Sequence, residues 1–338
     1  MSIAVPLYGF GASSGGTGGT LTVTAPANVT VTINKDGKTK TKNSGTTGVV
    51  VFKGLASGTW TVTITGDGKT AQKNVVITTD YSTAISFNTI PEFTYTGDYE
   101  IVNDSDEPIT VSQDNWKIRF LTSGTLTFTN LNGAEGGIDV FLVGGGGGGG
   151  MGAYGAFRGT GGGGGYTTTK RNAEIAVNTP YKIIVGSGGA CATNSGTDGN
   201  DGGNTTAFSV TANGGKHGNK GGGSAPNGGN GGSGGGCGGN DNDGNYKTSA
   251  GGTDGSDGKD AYRDGSIYAK GGSGQGTTTR EFGETGNTAY SPGGPGASSE
   301  YSVSTVQGSG GRGGGHENGT KTDGKPGIVI IRNARGAA

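Results

Sequence analysis

The sequence predicts an all-β protein in two parts. A small antiparallel β-sandwich comes first, followed by a β-sandwich or jelly-roll that carries an inserted bundle of polyglycine II helices. Three observations lead there. Short β-branched runs alternate with a period of two from Leu21 to about Asn88. The apolar run Ile138–Val143 opens directly onto seven consecutive glycines, Gly144–Gly150, and a second apolar run, Ile328–Ile331, stands near the end of the chain. Of the 80 glycines, all but 18 lie from residue 144 onward.

Glycine loses more conformational freedom on folding than any other residue, and 29% hydrophobic residues leave little to bury. Buried backbone groups must still be paired. Collagen fails as the solution, because there is no sustained Gly-X-Y period and only nine prolines. Extended left-handed helices with three residues per turn point their N–H and C=O groups outward. When most side chains are hydrogen, such helices pack side by side and bond to one another without a hydrophobic core.

Residues 1–19 read as a tip and linker, with Ile3, Val5, Leu7, Tyr8 and Phe10 as the apolar contacts of an attachment segment and Ser13–Gly19 as a flexible tether. Docking on a partner and a frayed end both remain open for the tip. Residues 20–90 form the sandwich, from Leu21–Thr24, Val29–Ile33, Val49–Phe52, Thr59–Ile64, Val75–Ile77 and Thr83–Phe87, with hairpin turns at Asp36-Gly37 and Asp67-Gly68. The order Gly48, Phe52, Leu55, Gly58, Trp60, Val62 resembles the carboxypeptidase-regulatory and Cna-B-like modules. That resemblance implies an Ig-like sandwich acting as a spacer or docking unit, with Phe52, Leu55 and Trp60 in its core.

Residues 91–112, with Pro91, Pro108 and acidic Asp104–Glu107, read as a connection. Residues 113–338 form the glycine-rich domain, with strands at Trp116–Leu121, Thr125–Thr129, Ile138–Val143, Tyr166–Thr169, Ala173–Val177, Tyr181–Val185 and Ile328–Ile331. The last strand needs a partner to bury it. Pairing with Ile138–Val143 closes one sheet and leaves the glycine-rich segments as insertions.

Several chemistries find no support. Gly150-Met-Gly-Ala-Tyr-Gly155 matches G-x-G-x-x-G after a strand, but Ala156-Phe-Arg-Gly-Thr-Gly-Gly cannot form the helix that would hold a pyrophosphate. Asp241, Asp243, Asp254, Asp257 and Asp260 do not fall in EF-hand register, and aspartate among glycines reads as turn residues. His217 and His316 sit between glycines and read as exposed, with no supporting elements for catalysis. The expectation is no enzyme, no cofactor and no metal. A net charge of −1 without basic runs gives no reason to expect nucleic acid, and no apolar stretch is long enough to enter a bilayer. Cys191 and Cys237 are left open between a disulfide and two thiols.

Between the glycine blocks lie segments rich in Tyr, Asp, Asn, Ser and Thr, the composition that binding loops favour. Tyr246, Tyr262, Tyr268, Phe282, Tyr290 and Tyr301 are the candidate anchors of such binding loops.

Ile138-Asp-Val-Phe-Leu-Val-Gly-Gly-Gly-Gly, Thr277-Thr-Thr-Arg-Glu-Phe-Gly-Glu284 and Gly327-Ile-Val-Ile-Ile-Arg332 resemble glycine-rich phage proteins of tail-fibre and adhesin type. In the T-even-type distal adhesins a polyglycine II sandwich carries variable loops that bind the host. The resemblance implies a non-enzymatic virion protein that recognises a host-surface glycan or protein and meets other virion proteins through its N-terminal region. The alternative is a structural virion protein, a head fibre or capsid decoration, that binds only its own particle. The N-terminus lacks the basic and apolar regions of a secretion signal, which fits a virion component released by lysis and extracellular thereafter. Fibres are commonly homotrimers, although a single-chain bundle needs no partner chain.

Overall fold

The computed structural model describes residues 19–66, 69–85, 90–109, 112–113, 115–132, 134, 136–153, 157–222, 226–238, 254–263, 266–297, 302–315 and 320–335. The protein is all-β, and among these residues no α-helix occurs. The chain divides into two compact units.

The first unit holds β1 (Gly19–Thr24), β2 (Thr30–Lys35), β3 (Lys38–Asn43), β4 (Val49–Leu55), β5 (Gly58–Gly66), β6 (Lys69–Ile77) and β7 (Tyr81–Ala84). They form two sheets, ordered β4-β1-β7 and β6-β5-β2-β3. Alternation decides which face is inside. Leu21, Val23, Val50 and Phe52 of one sheet share a single core with Val31, Ile33, Trp60, Val62 and Ile64 of the other. Phe52, Leu55 and Trp60 are buried as expected, and the Trp60 indole N–H donates to the Ala56 carbonyl at 2.9 Å. The β2–β3 hairpin turns at Asp36 and Gly37, with φ of 51° and 77°, the left-handed pair that a two-residue turn requires. The expected Asp67-Gly68 turn lies outside the described residues, between the paired ends Gly66 and Lys69.

Residues 91–112 are not a plain connection. They supply β8 (Glu92–Tyr95) and β9 (Tyr99–Asn103) to the second unit, and β10 (Ser112–Gln113) pairs in parallel with β6 of the first. Phe93, Tyr95 and Tyr99 explain the difference: their rings pack on one another and on Phe120 and Phe128, so this stretch has a core to join.

In the second unit, β11 (Trp116–Phe120), β12 (Gly124–Asn130), β13 (Ile138–Val143), β14 (Thr167–Ala173), β15 (Pro180–Ile183) and β20 (Ile328–Asn333) complete two sheets, ordered β14-β13-β20-β11-β9 and β15-β12-β8. The expected antiparallel pairing of Ile328–Ile331 with Ile138–Val143 is present, from Ile138 opposite Asn333 to Val143 opposite Ile328. Both strands are buried on both faces, which is why they read as unbroken apolar runs rather than alternating ones. Two small hairpins, β16–β17 (Thr205–Ala207, Val210–Ala212) and β18–β19 (Ala261–Arg263, Ser266–Ala269), interrupt the glycine-rich segments.

Candidate interface at the ends of the glycine segments

Gly144–Gly150 leave β13 with every residue buried and no regular secondary structure assigned. Their backbone groups are nonetheless paired, with a period of three. The N–H groups of Gly144, Gly147 and Gly150 donate to Tyr166, Gly163 and Thr160, those of Gly145, Gly148 and Met151 to Gly203, Asn200 and Thr197, and those of Gly146 and Gly149 to Lys325 and Thr322. The carbonyls follow the same period. Gly145, Gly148 and Met151 accept from Gly215, Gly218 and Gly221, Gly146 and Gly149 from Gly189 and Ala192, and Gly147 and Gly150 from Gly311 and Gly314. One segment therefore bonds to six others, which is how backbone alone satisfies itself where side chains are missing.

Asp and Asn side chains complete the edges of this array. Asp198, Asp201 and Asn204, spaced by three, accept the backbone N–H groups of Lys220, His217 and Gly214. Asp257 and Asp260 accept from Gly274 and Gly271, and Asn227 and Asn230 from Lys270 and Ser273. The expectation that Asp257 and Asp260 are turn residues is thus corrected: their side chains stand in for a missing neighbour's carbonyl. His217 is also not simply exposed, since its Nδ1 lies 2.6 Å from Asp201, whose second oxygen is 2.7 Å from the Lys216 ammonium. Burial alone would raise the Asp201 pKa, but bonds from Lys216 and His217 hold it below the usual carboxylate range.

The array has two unlike ends. At the sheet end, Gly144, Gly165 and Gly327 continue into β13, β14 and β20, and the segment Thr277–Ser291 covers the sheet. Phe282 and Tyr290 pack on Phe141, and with Val143, Ile328 and Ile330 they form a buried cluster. A buried charge network clamps this cover. Asp139, fully buried, pairs with Arg171 at 2.6 Å and Arg332 at 3.2 Å, and Arg332 also bonds Glu284 while lying 4.0 Å over the Phe282 ring. Hydrogen bonds from Arg332, reinforced by Arg171, hold the Glu284 pKa down at about 2 despite partial burial. Beside it, Lys117 reaches Asp106 at 2.6 Å and Glu281 at 2.9 Å, the latter contact poorly aligned for hydrogen bonding. Burial of Glu281 pushes its carboxyl above the usual range in spite of Lys117.

At the far end, Gly152 bonds Gly314, Gly196 bonds Gly152, Ala153 bonds Gly221, and Ala297 bonds Gly159, so these described segment ends lie side by side. The β18–β19 hairpin joins them, tied by Asp260 to Gly271 and by the Cys237 thiol to the Lys259 carbonyl at 3.2 Å. Ile267 on this hairpin is 51% exposed.

The six candidate anchors separate accordingly. Tyr262 and Tyr268 lie on the far-end hairpin. Tyr246 and Tyr301 fall outside the described residues, as do Ile3, Val5, Leu7, Tyr8 and Phe10. Phe282 and Tyr290 are corrected: at 2% and 1% exposure they anchor the cover to the sheet and offer nothing to a receptor. Asp139 inside an apolar strand was the available signal, because a carboxylate there demands cations from elsewhere in the chain. Cys191 and Cys237 are not joined to one another in a disulfide.

An all-β unit whose central strands run into cross-bonded glycine segments defines a glycine-rich β-domain. A family model described as a glycine-rich domain matches residues 121–334, and the chain belongs to that family. The match begins just after β11, so β8, β9 and β11 extend the matched region within the same compact unit. No curated protein matches the chain.

Proposed function

We propose that this chain is a non-enzymatic phage virion protein, a receptor-binding or tail-fibre adhesin that meets the host surface through the far-end loops of its glycine array. The observation that carries the reading is the three-residue bonding period around Gly144–Met151. That period is the one expected of polyglycine II rods. Such rods would form a stiff support that presents its connecting segments remote from the sheet. Resemblance to the T-even-type distal adhesins supports the same arrangement, and the far-end hairpin, whose sequence carries Tyr262 and Tyr268, exposes Ile267 there. The buried carboxylates Asp139 and Glu281 face cations within the fold, which suits a structural role rather than acid–base catalysis.

The separate N-terminal unit would serve attachment, with residues 1–19 contacting other virion proteins. The test is adsorption: purified protein should bind susceptible cells and reduce phage infection in a dose-dependent way. Replacing Tyr262 and Tyr268 together by serine should weaken both effects, scored on protein whose melting temperature is unchanged. Labelling confined to the capsid, with no cell binding, would instead identify a head fibre or decoration protein.

A further inference from the structure

A groove of about 600 Å³ lies at the sheet end of the second unit, away from the far-end turns. Lys170, Asn172 and Glu174 form one wall, Pro180, Tyr181 and Lys182 another, and the β16–β17 turn, Phe208 and Ser209, closes it. Its size suits a ligand of two or three sugar rings, within the ordinary range for small-molecule sites.

Three features set it apart from the rest of the surface. The first is the turn. Phe208 and Ser209 both have positive φ, 48° and 62°, at a two-residue hairpin where Asn-Gly would be relaxed. A bulky aromatic in this conformation is strained, and such strain persists where the surroundings hold it for a purpose. Here the Lys170 ammonium donates to the Phe208 carbonyl at 3.1 Å, and the Phe208 ring lies 5.1 Å from Tyr181 at 35°. The second feature is the pinning of Tyr181 itself: its hydroxyl accepts the Ala176 N–H at 2.8 Å, and its ring meets Phe128 edge-on. The two rings are thus fixed before any ligand arrives. The third is the charge. The Lys182 ammonium and the Glu174 carboxylate are exposed, and no ion pair engages either among the described residues. Lys170 adds a second cation, so the walls are net positive while the chain as a whole is not.

Phe208 is buried and backs Tyr181, whose half-buried ring beside mixed donors and acceptors suits a pyranose, with sugar C–H groups packing on the ring while hydroxyls bond at the rim. The excess of lysine selects a sugar that carries a carboxylate. We infer that the groove bounded by Tyr181, Phe208, Lys170 and Lys182 binds an acidic oligosaccharide, with Lys182 contacting the carboxylate and Glu174 and Asn172 accepting from hydroxyls. The site is separate from the far-end loops, so it can hold whether or not those loops bind a receptor.

The test uses the full chain on an array of uronate, nonulosonate and neutral hexose oligosaccharides, beside Lys182→Glu and Tyr181→Ala. Lys182 is exposed, so its substitution leaves the fold intact, and Tyr181→Ala is scored only with an unchanged circular dichroism spectrum. The wild type should be retained on acidic spots and not on neutral ones. Lys182→Glu should lose about tenfold or more, the scale of one charge-assisted contact reversed. Absence of retention on every acidic spot overturns the inference, as does equal retention on neutral sugars. Retention unchanged by Lys182→Glu also overturns it. A double substitution of Tyr262 and Tyr268 that abolishes cell adsorption but leaves acidic-sugar binding intact would separate this groove from the far-end loops.

Discussion

Gly147 stands in the middle of the glycine array, and a methyl group there has nowhere to go. A Cβ built on it would sit 2.5 Å from the Lys216 carbonyl carbon, 2.9 Å from the His217 nitrogen and closer still to the Lys216 oxygen. All three are backbone atoms, so no rotamer change can relieve the overlap, and the two segments must separate by about 1 Å to restore van der Waals distance. That separation acts on the bonds either side of the site, Gly215 N–H to Gly145 at 2.8 Å and Gly218 N–H to Gly148 at 2.7 Å. Each buried donor left without a partner costs about 1–3 kcal/mol, so Gly147→Ala should destabilise the second unit by roughly 2–6 kcal/mol. For a domain of this size the melting temperature should fall by roughly 5–20 °C. Gly222→Ala is the control, because a Cβ there meets nothing within 4 Å and the residue has no positive φ. Calorimetry on the two variants reads the difference directly. A Gly147→Ala protein that melts within about 1 °C of Gly222→Ala would refute the claim that backbone proximity holds this array together.

Other expectations concern charge. The folded-state pKa of Glu284 is depressed, so its contribution is complete above the ordinary value of 4.5 and is lost as pH falls toward about 2. Glu284→Gln should therefore flatten the acid limb of a stability–pH curve in that window, and an unchanged limb would contradict the pairing with Arg332. Asp139→Ala leaves the buried Arg332 with Glu284 alone, and should cost roughly 3 kcal/mol in urea denaturation; a loss below about 1 kcal/mol would mean the network is solvated. Asp201→Ala removes the acceptor of the His217 amide, and should raise hydrogen exchange there selectively while lowering global stability by only about 1 kcal/mol.

The strand content was legible because burial leaves a periodic trace. Two-residue alternation marked the first unit, and the paired runs Ile138–Val143 and Ile328–Ile331 announced a central sheet across a long insertion. The extent of the second unit was less legible. Pro91, Pro108 and the acids between them looked like a tether, whereas the aromatic pair Phe93 and Tyr95 was the better clue, since unburied rings would be costly in a linker. Phe282 and Tyr290 misled for a related reason: their neighbours are Thr, Arg, Glu and Gly, so local composition reads as a loop. What buries them is Phe141 and the Asp139–Arg332 clamp, which lie far away in sequence. The aspartates were visible, but their spacing of three carries meaning only once the neighbouring segment is known to repeat at the same interval.

That shared interval limits how such a protein can change length. An insertion of one or two residues inside Gly144–Met151 would rotate every later donor toward the wrong neighbour, while an insertion of three would return each to an equivalent direction. With the polyglycine II rise proposed above, about 3.1 Å per residue, matched insertions of three in adjoining segments would lengthen the array by about 9 Å per step. Sequence beyond the last shared bonds obeys no such count. The molecule is therefore quantised along its shaft and free at its tip, so lineages of it should differ by multiples of three in the one and by any number in the other.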